Sequence, residues 1–73
     1  MISDQQLKSK IDILTNKLKA ELFDEVIAES KSLLKKRYHQ IFYNMLSLSY
    51  QSLGKFDLSI KIMEEALHKN PNN

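Results

Sequence analysis

The chain has no cysteine, one glycine and one proline in 73 residues. Without cysteine there can be no disulfide framework, no thiolate nucleophile and no cysteine-based zinc site. Glycine and proline this scarce leave little material for β-hairpin turns, which points to an all-helical chain. Long apolar runs are missing too. Tyr38 to Gly54 carry no formal charge when His39 is neutral, but His39, Gln40, Asn44, Gln51 and the serines among them make the stretch too polar and too short for a membrane span. The opening residues MISDQQLKSK have no apolar signal core, so no secretory peptide is expected. Nor does one sign of charge dominate. Eleven Lys and Arg are interspersed with nine Asp and Glu, and a net charge of +2 implies no strong pull toward nucleic acid. What remains is 42% hydrophobic and 27% charged, as in an ordinary soluble domain. A chain of this length forms one small domain, burying only about 60% of its unfolded surface. A soluble, cytoplasmic helical domain spanning residues 1–73 is expected.

Four helices can be read from the spacing of apolar residues. Ser3-Asp4 offers an N-cap, followed by Leu7, Ile11, Leu14, Leu18 and Leu22 at helical intervals. Lys8–Asp12 and Lys17–Glu21 are candidate ion pairs on its outer surface. A break is expected near Ala20–Leu22, although no glycine or proline marks it. Phe23, Val26, Ile27, Leu33 and Leu34 give the second helix its apolar face. Its acids come first (Asp24, Glu25, Glu29) and its bases last (Lys35, Lys36, Arg37), which complements the helix dipole without any ligand. The uncharged stretch reads as a third helix ended by Gly54 in a left-handed cap. The fourth runs from Phe56 to Lys69, with possible pairs Asp57–Lys61, Glu64–His68 and Glu65–Lys69. Asn70 and Pro71 stop it. Phe23, Ile27, Leu34, Tyr38, Ile41, Met45 and Leu48 keep helical spacing across the second junction. A fused second and third helix in a swapped dimer is therefore an alternative to separate hairpins.

The second and fourth helices also resemble each other. LFDEVIAESKSLLKK and KFDLSIKIMEEALHK share Phe-Asp at the start, and Phe23 and Phe56 are thirty-three residues apart. In the second half, Tyr43, Leu46-Ser47, Tyr50, Gly54, Phe56, Ser59, Met63, Ala66 and Pro71 fall at the spacing of a tetratricopeptide repeat, which they resemble over residues 40–73. Residues 3–39 resemble a degenerate copy, in which Ile13-Leu14 stand at the Leu-Gly place but Lys10 and Lys17 occupy the two aromatic places. The resemblance implies two antiparallel helical hairpins stacked in a right-handed superhelix. It also implies that Leu46, Tyr50, Ser59, Met63 and Ala66 meet between the third and fourth helices, where Ser47 and Ser59 admit close approach.

No catalytic constellation is present. His39 and His68 have no partner at metal-ligand spacing and suit a helix start and a helix end. Glu64 and Glu65 diverge around a helix. Neither enzymatic activity nor a cofactor is expected, and the basic cluster Lys31, Lys35, Lys36 and Arg37 is a minor case for nucleic acid because acids surround it. A protein-interaction scaffold is left. The resemblance implies an inner binding surface for a peptide or protein, formed here by Ile41, Asn44, Met45, Leu48, Gln51 and Ser52. The first hairpin would add Lys8, Ile11, Thr15, Leu18 and Lys19. The family's carboxylate-clamp places hold Ile11, Thr15 and Met45, so a chaperone tail is not the expected ligand. Ile60, Met63 and Leu67, with Phe56, are candidates for self-association as a homodimer or stacked oligomer. The alternative is a repeat segment preceding a bacterial glycosyltransferase- or sulfotransferase-like domain, since NPNN resembles the phrase that joins one repeat to the next.

Overall fold

The computed structural model describes residues 2–69. Helix α1 (Asp4–Lys19) begins at a reciprocal cap: Ser3 Oγ accepts from the Gln6 N–H at 3.2 Å, and Gln6 Oε1 accepts from the Ser3 N–H at 3.1 Å. Two donors that no helical carbonyl could reach are satisfied at once. The helix ends where the Glu21 N–H donates to Leu18 O (3.0 Å) and the Leu22 N–H to Lys17 O (2.9 Å). These are the two bonds of a Schellman motif, and they require a left-handed residue between helix and exit. Here that residue is Glu21, at φ 61°.

Helix α2 (Phe23–Lys36) follows at once, with no side-chain cap on Leu22. Arg37 and His39 are extended, at φ −157° and −156°, and separate α2 from α3 (Gln40–Ser52). His39 Nδ1 caps α3 by accepting from the Ile41 N–H at 3.1 Å. The helical spacing that runs through this junction therefore does not produce a fused helix. The third helix is also shorter than the uncharged stretch, because His39 is spent as its cap and Leu53 as its C-cap. At its end the Gly54 N–H donates to Gln51 O (3.0 Å) and the Lys55 N–H to Tyr50 O (2.8 Å), with Gly54 at φ 75°. This is the same Schellman turn, thirty-three residues after the first. Helix α4 (Phe56–Lys69) completes the described chain. The expected stop at Asn70–Pro71 lies outside the described residues.

The fold is all-α: two helical hairpins, α1–α2 and α3–α4, with no strand among the described residues. Helix α3 is the centre, packed on α2 at one side and on α4 at the other, while α1 lies on α2 and reaches α3. Among the described residues α4 packs on α3 alone. Leu7 and Leu14 of α1, Val26 and Leu33 of α2, and Phe42 and Met45 of α3 form one buried cluster. Leu46, Ser47, Tyr50, Ser59 and Ala66 are buried in and around the α3–α4 contact. No described helix is long and apolar enough to cross a membrane.

Candidate interaction surfaces

Polar contacts fasten the first hairpin at both ends. Near its turn, Lys17 of α1 pairs with Glu29 and, at 3.1 Å, with Glu25 of α2. These hydrogen bonds, Glu29's first, raise the Lys17 pKa above its ordinary value. At the open end, Arg37 pairs with Asp4 (2.8 Å) and donates to the Ile2 carbonyl (3.3 Å). The expected pairs Lys8–Asp12, Lys17–Glu21, Asp57–Lys61, Glu64–His68 and Glu65–Lys69 do not form among the described residues. Lys17 reaches across to α2 instead of along its own helix, and exposed pairs one turn apart gain only about 0.3–0.5 kcal/mol to hold them together.

Small side chains set the second hairpin. Ser47 Oγ and Ser59 Oγ share a hydrogen bond of 2.7 Å in the buried α3–α4 seam. Gln51 Nε2 donates to both, at 3.2 and 3.1 Å. Tyr43, buried on α3, donates its hydroxyl to Glu65 Oε2 at 3.1 Å. Burial first, and then the Glu65 carboxylate, raise the pKa of this phenol. Leu46, Tyr50, Ser59 and Ala66 do meet in this region, but Met63 is exposed: it projects from the edge of α4 that no described helix covers.

The residues of the candidate inner surface divide. Met45 is a core residue, packed among the α1 and α2 side chains, and Ile41 packs half-buried against that core; neither lies open to a ligand. They sit on the side of α3 turned to the first hairpin, a consequence of the α1–α3 contact that the α3 sequence does not reveal. Asn44 is exposed and accepts from Gln40 Nε2 at 3.2 Å. Leu48 is 49% exposed. Gln51 and Ser52 are exposed, although the Gln51 amide is engaged by the two serines. On α1, Lys8 and Lys19 are exposed, and Ile11, Thr15 and Leu18 are partly buried. The open part of this surface is thus Asn44, Leu48 and Ser52.

The self-association candidates lie together. Phe56, Ile60 and Leu67 are 62%, 60% and 58% exposed, and with Met63 they form one stripe along α4. Thirty-three residues earlier, α2 carries Phe23, Ile27, Ser30 and Leu34 in the same places. There Ser30 is buried and the other three are partly covered. The difference is positional: among the described residues α2 has neighbours in α1 and α3, whereas α4 has only α3.

Two features were not anticipated from the sequence. Ser30 of α2 and Ser49 of α3 are fully buried, and neither hydroxyl has a hydrogen-bond partner among the described residues. Their spacing was the available signal, since Ser30 lies between Val26 and Leu33 on the buried face of α2. The other is a groove between α2 and α4, described below. Compared with protein-family models, with characterised proteins and with solved structures, the chain matches none.

Proposed function

We propose that this protein is an interaction scaffold of the tetratricopeptide type, binding another polypeptide or a second copy of itself through its helical faces. One observation carries the reading. The α4 stripe Phe56, Ile60, Met63 and Leu67 repeats, place for place, the α2 face Phe23, Ile27, Ser30 and Leu34, which is buried at Ser30 and partly covered at the other three. A helix presenting that face to water offers a further hairpin the same seat that α2 gives the second hairpin. Stacking of a second copy on α4 fits this geometry, and the reading is of a cytoplasmic protein with no enzymatic role. The exposed residues Asn44, Leu48 and Ser52 of α3 supply a separate surface for a peptide.

The same stripe also supports the second reading, a repeat segment of a larger enzyme, since a following hairpin would cover it equally well. Sedimentation over a concentration series tests the scaffold reading. Association into the micromolar range, abolished by Ile60→Lys with Leu67→Lys, is expected; a stable monomer that these changes leave untouched overturns self-association. Lengthening the chain by a copy of residues 40–73 that carries lysine at the places of Ile60 and Leu67 separates the two readings. Under the second, the extended chain is monomeric and melts higher; under the first, covering the stripe this way does not restore binding of a second copy.

A further inference from the structure

On the side of α4 opposite the exposed stripe, the chain forms an open groove of about 780 Å³ between α2 and α4, floored by α3. Two properties distinguish it from the other hollows of the molecule. Its floor is apolar and aromatic: Tyr43, Leu46 and Tyr50 of α3 lie at its base, between Leu34 of α2 and Leu58 and Ile62 of α4. Its rim is basic, with Lys31 and Lys35 along α2 and Lys61 and Lys69 along α4. None of these four ammonium groups is within ion-pair distance of a carboxylate among the described residues. The Lys31 ammonium lies 5.7 Å from the centre of the Tyr50 ring, leaning over the floor. The single acid among the lining residues, Glu65, stands between Lys61 and Lys69 on α4 and has one oxygen engaged by the Tyr43 hydroxyl, so four lysines face one carboxylate across the groove.

We infer that this groove binds an acidic amphipathic helix, with apolar side chains seated on Tyr50, Leu58 and Ile62 and carboxylates facing the lysine rims. The spacing suits a helix. Lys31 and Lys35 are one turn apart, about 6 Å along α2, and Lys61 and Lys69 about 12 Å apart along α4. Acids at four- and eight-residue intervals on a guest helix meet both rims, while leucines on the face between them fill the floor. An extended nucleic-acid backbone would satisfy the rims and leave the apolar floor uncovered. A lipid surface is flat, whereas these apolar groups are recessed between two helices. The site is separate from the α4 stripe, and Tyr43, Leu46 and Tyr50 lie on the side of α3 away from Asn44 and Leu48. Its occupation therefore does not depend on stacking.

The probe is a fluorescent amphipathic peptide of about four turns, with Leu on one face and Glu flanking it. Titrated with the full chain and followed by anisotropy, it should bind saturably and more weakly as salt is raised. Lys31→Glu with Lys61→Glu should weaken binding about tenfold or more by placing like charges against the guest. Lys10→Glu, a charge reversal on α1 outside the groove, should leave binding essentially unchanged. Circular dichroism of each variant confirms that the fold persists, and the milder pair Lys31→Gln with Lys61→Gln replaces the charge reversal if it does not. Absence of saturable binding, or equal binding to the charge-reversed chain, overturns the inference. So does equal affinity for a peptide whose leucines are replaced by serine, which would make the attraction one of charge alone. Tighter binding of a single-stranded oligonucleotide or of phosphatidylserine vesicles overturns it as well and assigns the lysines to those ligands.

Discussion

The two hairpins share a register and differ in what fills it. Both turn through the same pair of Schellman hydrogen bonds, and both restart on a Phe-Asp pair two residues after the left-handed position. In the first hairpin the helices meet through Leu14 and Val26, both fully buried; thirty-three residues on, the same places hold Ser47 and Ser59. With large side chains in the seam, α1 and α2 pack less closely than α3 and α4, and the polar links between them are the longer-reaching Lys17 and Arg37. Serines let α3 and α4 approach until two hydroxyls are 2.7 Å apart. One backbone plan is thus maintained by two different chemistries, because a turn depends on local geometry while a seam depends on the volumes facing each other.

The largest effect is expected where the second seam is made to carry the bulk of the first. Ser59→Leu should overpack the α3–α4 contact, break the link to Ser47 and cost about 1–3 kcal/mol. Thermal melting followed by circular dichroism checks it, and an unchanged midpoint would show that the seam is not close-packed. Exchanging the turn residues comes next. Glu21 stands where a side chain strains the backbone, so Glu21→Gly should stabilise the protein by about 1 kcal/mol, and Gly54→Ala should destabilise it by about the same amount. No neighbouring atom would obstruct a Cβ at Gly54, so any cost there is conformational and not steric. Opposite shifts in denaturant midpoint verify the pair; equal signs would mean that the two turns are not equivalent.

The buried serines should respond in a third way. Ser30 and Ser49 bury hydroxyls that make no hydrogen bond to any described residue, so alanine at either should be neutral or stabilising by up to about 1 kcal/mol. Ser47→Ala, which removes a satisfied hydroxyl, should destabilise. A loss of stability in Ser49→Ala comparable to that in Ser47→Ala would mean that Ser49 has a partner. The smallest effect is a pH dependence. Burial and the Glu65 contact raise the Tyr43 pKa, so its neutral phenol is favoured in the folded chain. That contribution is complete below the ordinary tyrosine value and is lost as pH rises through the folded one. One of the three tyrosines should therefore ionise late in an ultraviolet titration of the native protein. Tyr43→Phe should remove the late step and flatten the alkaline fall in stability. Lys10, which holds the matching place in the first hairpin, is exposed and offers no buried phenol there.

Much of the helical plan was legible because the forces behind it are local. Four apolar periodicities, the cap at Ser3, the glycine at position 54 and the acid-to-base order of α2 each act within a turn or two of helix. Even the unmarked break near Ala20–Leu22 was visible as a change of apolar face. Its left-handed residue was not, because a glutamate gives no sign that its backbone will be held at φ 61°. The fate of the uncharged third helix was also out of reach. Tyr43, Met45, Leu46 and Leu48 are all candidates for burial by composition, and only the positions of α1, α2 and α4 decide that Leu48 alone faces water.

The sequence by itself determined that this protein is helical, where the turns within each hairpin fall, and which side chains are small enough for close approach, because backbone capping and side-chain volume are properties of residues and near neighbours; that α2 and α3 are separate helices came from the structure. Tertiary structure decided which apolar face has a neighbour. It placed Met45 in the core and left Met63 outside, left two serine hydroxyls without partners, and brought lysines from α2 and α4 to the rims of one groove. Burial and convergence of charge depend on distances between segments far apart in the chain, and packing the helices fixes those distances all at once.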